Sequence, residues 1–287
     1  MHSPISYPLI AIKRDPSFSP NSVDNDSRIL GAVVHRLEAE GYSIHVCEED
    51  EFARAEWHSP MVFGMYRKEE TLKRLRQLEQ QHKTVVLNKP QGINNCRRAQ
   101  LQRIMDHYGI PQPESAIIDT DDTVLAIPYP CWMKRASGYS MEKGDVAFVP
   151  NQAKAEETLK DFMERGIRKV LVSEHLRGDL VKFYGVEGTP FFYSFYPTAC
   201  SHSKFGLEKH NGKPKGYLYD EECLHKTATK LAKATGIQVY GGDCIVWPDG
   251  SIRIIDFNDW PSFSPCRTEA AIHIAQRIIN LIPQHGI

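Results

Sequence analysis

The stretch Tyr240–Phe263, YGGDCIVWPDGSIRIIDFNDWPSF, decides how the rest of the chain is read. Cys244–Trp247 is a short apolar run, Pro248-Asp249-Gly250 has the chemistry of a tight turn, and Ile252–Phe257 is a second run. Together they predict a β-hairpin. Asp243 enters the first strand, and Asp256 and Asn258 close the second. A strand's period of two aims Asp256 and Asn258 at one face, and pairing across the turn brings Asp243 beside them. Acids at strand ends often do no more than solubilise a hairpin. A polar side chain between Ile255 and Phe257, however, costs free energy in a buried strand unless something pairs with it. Three converging oxygen donors suit Mg²⁺, and also Mn²⁺, which take a few protein oxygens and complete their shells with water and phosphate.

The 287 residues exceed one ordinary domain, so two or three compact units are the prior. A hydrophobic fraction of 41% and a charged fraction of 25% are ordinary for a globular protein. The formal net charge of −1 argues against general nucleic-acid binding, which needs a basic field. The N-terminus lacks a basic segment followed by a long apolar core, so no secretory signal is read there. No apolar run approaches the roughly 20 residues that span a bilayer, so no membrane partner is expected. The 7 cysteines are scattered without a CxxC pair, which reads as reduced thiols in a cytoplasm.

Outward from the hairpin, the first third alternates strand and helix. Leu9–Ile12 is a strand, residues 16–27 a polar loop, and Leu30, Val33, Val34 and Leu37 one face of a helix stopping at Gly41. Strands at Ser43–Cys47, Met61–Tyr66 and Thr84–Leu87 and a charged helix at Glu69–His82 complete a small parallel sheet with crossover helices. Neither GxGxxG nor GxxxxGK[ST] occurs, which excludes the dinucleotide fingerprint and the P-loop. Asn88–Ile93 is a Pro/Gly-rich joint and the candidate boundary at the end of a first unit, 1–92. After it, Leu101, Ile104, Met105 and Tyr108 have helical spacing, and Ser115–Ile118 is a strand. A strand ends at Lys134 before a loop with Ser137, Gly138 and Ser140. Ala153–Arg165 is a helix with Leu159, Phe162 and Met163 inward. Lys169–Leu176 and Leu180–Val186 flank Arg177-Gly178-Asp179 as a hairpin, and Phe191–Tyr196 is a further strand. Residues 201–219 read as a mobile loop over a site. Glu221–Thr235 is a helix ended by Gly236, and Glu269–Ile282 closes the chain with Ile272, Ala275, Ile279 and Ile282 near the core.

Taken together, these pieces resemble the ATP-grasp superfamily over roughly residues 84 to 280, and within it the branch of glutathione synthetase-like and ribosomal-protein-modifying glutamate ligases. Asp243 and Asp256-Phe257-Asn258, with Pro261 three residues on, look like that family's C-terminal metal motif. Lys134 looks like the lysine that contacts the nucleotide phosphates, and Lys182 is placed like the second phosphate-side or adenine-side lysine. Val172–Leu176 resembles the strand whose backbone meets adenine, with His175 and Leu176 beside the base and Glu174 where a carboxylate takes a ribose hydroxyl. Arg98 is similar to a Lys or Arg that reaches the nucleotide, and the adjacent Arg97 competes for that role. The resemblance implies an α/β (α+β) fold in which a small parallel domain, 1–92, precedes two subdomains, 93–175 and 176–287, that clamp ATP. Two departures stand out: Arg135 follows Lys134 where many members have proline, and Gly241 stands where several ligases place an arginine.

The chemistry implied is ATP- and Mg²⁺-dependent joining of a carboxylate to an amine through an acyl phosphate, with small-molecule or peptide substrates. Lys134, Lys182 and the cation would supply the positive charge that phosphoryl transfer needs, and amides of the Ser137–Ser140 loop could fold over the phosphates. Arg253 and the loop residues Lys204, Lys209, His210 and Lys213 are candidates to hold an anionic substrate. The string Asp256-x-Asn258-x-x-Pro261-Ser262-Phe263 is also similar to inositol phosphate kinases of the same superfamily. A small-molecule kinase and a catalytically silent nucleotide-binding module are therefore the alternatives, and a homo-oligomer is compatible with any of them.

Overall fold

The computed structural model describes residues 7–19, 21–122, 126–137, 143–197 and 212–283. The strands β1 (Leu9–Ile12), β2 (Ile44–Cys47), β3 (Met61–Gly64) and β4 (Val85–Leu87) form a parallel sheet in the order β2-β1-β3-β4. Crossovers run through α1 (Val23–Ala39), α2 (Glu49–Arg54) and α3 (Glu69–His82). Every residue of β1 and β3 is buried, as expected for parallel strands covered on both faces.

The polar loop expected over residues 16–27 is shorter. Pro16–Phe18 forms a single 3-10 turn, and α1 already begins at Val23. Its first-turn acids, Asp24 and Asp26, suit the positive end of a helix dipole, so polarity here marks a helix start. The helix α2 is six residues long, too short to show a period, and it inserts Phe52 into the core.

The Pro/Gly-rich joint is also partly helical. It contains α4 (Pro90–Asn95), with proline in the first turn where its missing N–H is harmless, and α5 (Arg98–His107) follows. Asn88 is buried and stitched to the far end of the chain. Its Oδ1 accepts from the Gln238 and Val239 N–H groups at 2.8 and 2.9 Å, and its Nδ2 donates to the Val239 carbonyl at 2.8 Å.

A second, antiparallel sheet contains β5 (Ser115–Asp119), β6 (Cys131–Arg135), β7 (Val146–Val149) and β8 (Lys169–Glu174) in the order β5-β8-β6-β7. It packs α6 (Gln152–Glu164) over a core of its own that includes Met133, Val149, Phe162 and Val172. The third sheet, also antiparallel, has β9 (Asp179–Val186), β10 (Phe192–Phe195), β11 (Val239–Val246) and β12 (Ile252–Asp259) in the order β10-β9-β11-β12. Two helices flank it: α7 (Glu221–Thr235), which ends at left-handed Gly236 with φ 78°, and α8 (Arg267–Leu281). The first and third sheets share their cores. One core joins Ile10, Leu75 and Leu101 to Leu231, Phe183 and Phe257; the other joins α1 to α8 around Trp260 and Phe263.

The hairpin expected at Arg177-Gly178-Asp179 does not form. β8 pairs within the second sheet and β9 within the third, so these residues are a crossing between sheets. Both strands are mostly buried, and an apolar run cannot say which neighbour buries it. Gly178 passes so close to β11 that a Cβ would stand 2.4 Å from the Val246 carbonyl oxygen. Met163 and Ile272, expected inward, are 53% and 44% exposed. Each lies beside the stripe its helix does bury, Thr158, Leu159 and Phe162 in α6 and Ala271, Ile274 and Ile278 in α8. Tyr108 likewise falls just past the end of α5 and is exposed.

Candidate functional site

The hairpin expected around Pro248-Asp249-Gly250 is present as β11 and β12, and its register assembles the acids. Asp243 faces Asp256 across β11 and β12, and Gly241 faces Asn258. The register shifts by one residue between Asp243 and Cys244. This β-bulge lets consecutive residues Ile255 and Asp256 serve the same face and bends the strand there. Asn258 Nδ2 donates to Asp256 Oδ2 at 2.9 Å, so the two side chains lie together. Asp243 is not at the start of its strand, as expected, but midway along it. Gly241 and Gly242 hid the first half, since glycine weakens a strand pattern. Both are required by packing: a Cβ on Gly242 would meet the Asp256 carbonyl oxygen at 2.4 Å, and one on Gly241 would meet Pro261 and Tyr184, each at 2.7 Å. An arginine at position 241 would have to displace that ring.

β9 supplies the neighbouring cation. Lys182 sits opposite Asp243, and its Nζ lies 3.1 Å from both carboxylate oxygens. On the same face, Leu180, Ile245 and Ile255 form an apolar floor that Leu176 and Trp247 complete. Apart from Leu176, the floor was missed in the sequence because its members read only as strand residues. The available signal was their two-residue offset from Lys182 and Asp243, which puts them on the acids' face.

The second sheet contributes the other wall. Lys134, on β6, is half-buried. Its ammonium is pushed down to about 8, first by burial and then by the Arg98 charge, against the opposing pull of Asp256 and Asp243. Arg98, in the first turn of α5, donates from Nη1 to the Arg135 carbonyl at 3.1 Å. Burial lowers its pKa as well, and Asp256 is the carboxylate that most opposes this. Arg97 instead pairs with Glu69, so Arg98 is the arginine beside the lysine strand. Lys134, Arg98, Lys182, Asp243, Asp256 and Asn258 thus come together from four strands and a helix.

At the end of β8 the Glu174 N–H is taken by the Glu114 carbonyl at 2.9 Å and the His175 N–H by Pro130 at 3.3 Å. The His175 ring accepts from Trp132 Nε1 at 3.1 Å and packs against Phe148. Glu174 itself is half-buried. The Arg253 guanidinium lies over the Trp247 ring, 4.8 Å from its centroid, near the turn end of the hairpin. Ser137 is exposed just past β6 and Lys213 is exposed in coil, whereas Gly138, Ser140, Lys204, Lys209 and His210 lie outside the described residues.

One feature had no sequence signal at all, because its members are up to 246 residues apart. Just beyond Asn258, the Arg67 guanidinium grips Asp259 and Arg14 Nη2 donates to the Trp260 carbonyl.

No family model matches this sequence. No curated protein matches it either. Solved structures do. A RimK-domain ATP-grasp protein from Sphaerobacter thermophilus superposes with a TM-score of 0.70 at 17% identity, over 94% of this chain and 99% of that one. The D-alanine–D-alanine ligase of Bacillus anthracis complexed with ATP gives 0.68 at 13% identity, over 96% of each chain. The D-cycloserine synthetase DcsG gives 0.64 at 14% identity, over 94% of this chain and 99% of that one.

Proposed function

We propose that this chain, which has the ATP-grasp fold, is an ATP-dependent carboxylate–amine ligase acting on small-molecule or peptide substrates. The observation that carries the reading is the assembled cluster: Asp243, Asp256 and Asn258 share one face with an apolar floor and Lys182, and Lys134 on the second sheet and Arg98 on α5 share their field. That the similar structures include ligases, one of them holding ATP, supports it further.

The donor set fits a hard divalent cation. No group of three His, Cys, Asp or Glu side chains suited to a metal occurs among the described residues, so the cluster rests on two carboxylates and an amide oxygen. Such a set holds Mg²⁺ or Mn²⁺ only in company with phosphate and water oxygens. When bound, the cation would neutralise phosphate charge as the γ-phosphoryl group is transferred.

The chain's own residues then divide the work. Leu180, Ile245, Ile255 and Leu176 give the nucleobase an apolar surface. Glu174, half-buried at the end of β8, is assigned to the ribose hydroxyls. Lys134, Arg98 and Lys182 meet the charge on the phosphoryl oxygens, and Ser137 leads into the loop that follows Lys134. A substrate carboxylate oxygen attacks the γ-phosphorus and ADP leaves; the amine nitrogen attacks the acyl carbon, loses a proton and expels phosphate. No protein nucleophile takes part, so the absence of a Ser, Cys or His motif is in keeping. Arg253 and Lys213 are offered as contacts for an anionic substrate.

The test is incubation with ATP, Mg²⁺ and pooled amino acids and peptides, following free phosphate and product mass. Stoichiometric phosphate and a new amide are expected. ADP formed without an amide would overturn the ligase reading, and phosphate retained on product would make the enzyme a kinase.

A further inference from the structure

At the carboxyl edge of the first sheet, the chain leaves β1 and β3 toward opposite sides, because β2 lies beyond β1 and β4 beyond β3. Such a reversal of strand order opens a crevice at the sheet's carboxyl end, and here the metal strand's end fills it. Arg14 follows β1 and Arg67 follows β3. Arg67 addresses Asp259 with a fork: Nη2 to Oδ1 at 2.7 Å and Nε to Oδ1 at 3.1 Å and Oδ2 at 3.4 Å. Arg14 Nη2 donates to the Trp260 carbonyl at 2.6 Å, and its Nε lies 3.1 Å from Asp26 Oδ2. Glu49 fixes the backbone of the Arg67 loop by accepting from the Arg67 and Lys68 N–H groups at 3.0 and 2.7 Å. The side chains of Arg67, Asp259 and Arg14 are 9%, 2% and 5% exposed.

Two further observations give this cluster a purpose. Replacing a buried ion pair by apolar residues of equal volume is often neutral for stability, so retaining one needs a reason other than stability. And Trp260 holds φ at 30°, a conformation that side-chain-bearing residues avoid unless their surroundings impose it. The Arg14 bond lands on the carbonyl of that residue. Asp259 is the immediate neighbour of Asn258, so a fork that fixes Asp259 in plane also fixes the peptide carrying Asn258.

We propose that Arg67 is a positioning residue for the divalent-cation site: through its fork on Asp259, backed by Arg14 on Trp260, it sets the Asn258 amide for the cation and makes the N-terminal sheet part of that site. The inference rests on the metal reading of Asp243, Asp256 and Asn258. Groups that orient ligands from behind typically change metal affinity 10- to 100-fold when removed. Lysine cannot replace the fork, because an ammonium lacks its planar pair of donors.

The test is binding of Mn²⁺ with a non-hydrolysable ATP analogue, read by electron paramagnetic resonance, with circular dichroism and thermal unfolding as controls. In Arg67→Gln, Mn²⁺ affinity is expected to fall about 10- to 100-fold with an altered spectrum, and Arg67→Lys is expected to recover only part of it. Removal of Arg67 alone leaves a buried carboxylate unpaired, so the double variant R67M/D259L supplies a folded control. It is expected to keep its circular dichroism while binding Mn²⁺ as weakly as Arg67→Gln. Wild-type affinity and spectrum in that folded double variant would show a purely structural pair and overturn the inference, leaving the ligase reading intact. Failure of the unaltered protein to bind Mn²⁺ with nucleotide would instead overturn the metal reading and the inference together.

Discussion

Substituting Lys134 by methionine should stabilise the nucleotide-free protein while weakening its hold on nucleotide. Methionine keeps the length and apolar stem of the side chain and removes the charge. The ammonium is pushed from 10.5 to about 8 by burial and by Arg98. At about 1.4 kcal/mol per unit, the charged lysine costs the free fold about 3 kcal/mol. The sign follows from comparing the two states. Below pH 8 the group is protonated in both the folded and the unfolded chain, so the whole cost is present. Between pH 8 and 10.5 the folded protein gives up a proton that the unfolded chain still holds, and the cost drains away. The Met variant should therefore exceed the natural protein by about 3 kcal/mol at pH 7, about 2 kcal/mol at pH 9, and less than about 0.5 kcal/mol at pH 10.5.

Urea denaturation of both proteins without nucleotide at these pH values measures the gap, and a fluorescent ATP analogue measures affinity. If the natural protein is the more stable at pH 7, or if the gap does not narrow as pH rises, then Lys134 is not held charged against its surroundings and the reasoning fails. Because phosphate charge would favour the ammonium form, nucleotide binding near pH 8.5 should also take up a fraction of a proton, read by calorimetry in two buffers.

Three other substitutions probe the frame. Asp179 accepts the N–H groups of Lys215, Gly216 and Tyr217 at 2.7–2.9 Å; Asp179→Ala should cost about 2–3 kcal/mol and speed hydrogen exchange at those amides, and unchanged protection there would contradict it. Asn88→Ala leaves two buried N–H groups and the Val239 carbonyl without their partner, so a loss of about 3 kcal/mol in denaturant is expected; a loss within error of zero would mean water takes over these bonds. Gly241→Ala places a methyl 2.7 Å from Pro261 and Tyr184 and should lower stability by about 1–3 kcal/mol, measured by thermal unfolding.

What the sequence made legible was local. The hairpin could be read because its turn residues, its two apolar runs and the spacing of Asp256 and Asn258 all sit within 24 residues. The helix Glu221–Thr235 was legible because Gly236 marks its end. What stayed hidden was decided by neighbours far along the chain. β8 and β9 carry similar apolar runs, yet one pairs with β5 and β6 and the other with β10 and β11, and nothing within either run distinguishes these outcomes. That Arg98 and not Arg97 lies beside the Lys134 strand depends on Glu69 and Arg135, neither of them a sequence neighbour on the helix face. The bulge at Asp243 is likewise a property of the pair of strands and not of either one.

The charges named around the cleft give a reason for its cost. Lys134, Arg98 and Lys182 carry three positive charges against the two of Asp243 and Asp256, in a chain whose formal net charge is −1. Lys182 is matched directly by Asp243, whereas burial disfavours the charged forms of Lys134 and Arg98, and the Arg98 charge adds to this at Lys134. A fold selected only for stability would replace one of them with an apolar residue, as cores commonly tolerate. A site that accepts a polyphosphate, as proposed for this one, would gain from keeping both: burial that penalises a cation also strengthens its attraction to phosphate, because the same low dielectric acts on both interactions. On the proposed reading, an arriving polyphosphate would offset the burial cost at Lys134 and Arg98. Asp256 is the residue that makes this workable, since it favours the charged forms of both Lys134 and Arg98 while standing beside Asn258. One carboxylate thus favours the charged forms of the two cations proposed to meet phosphate and stands in the cluster proposed to hold the metal, beside the bulge in its own strand pair.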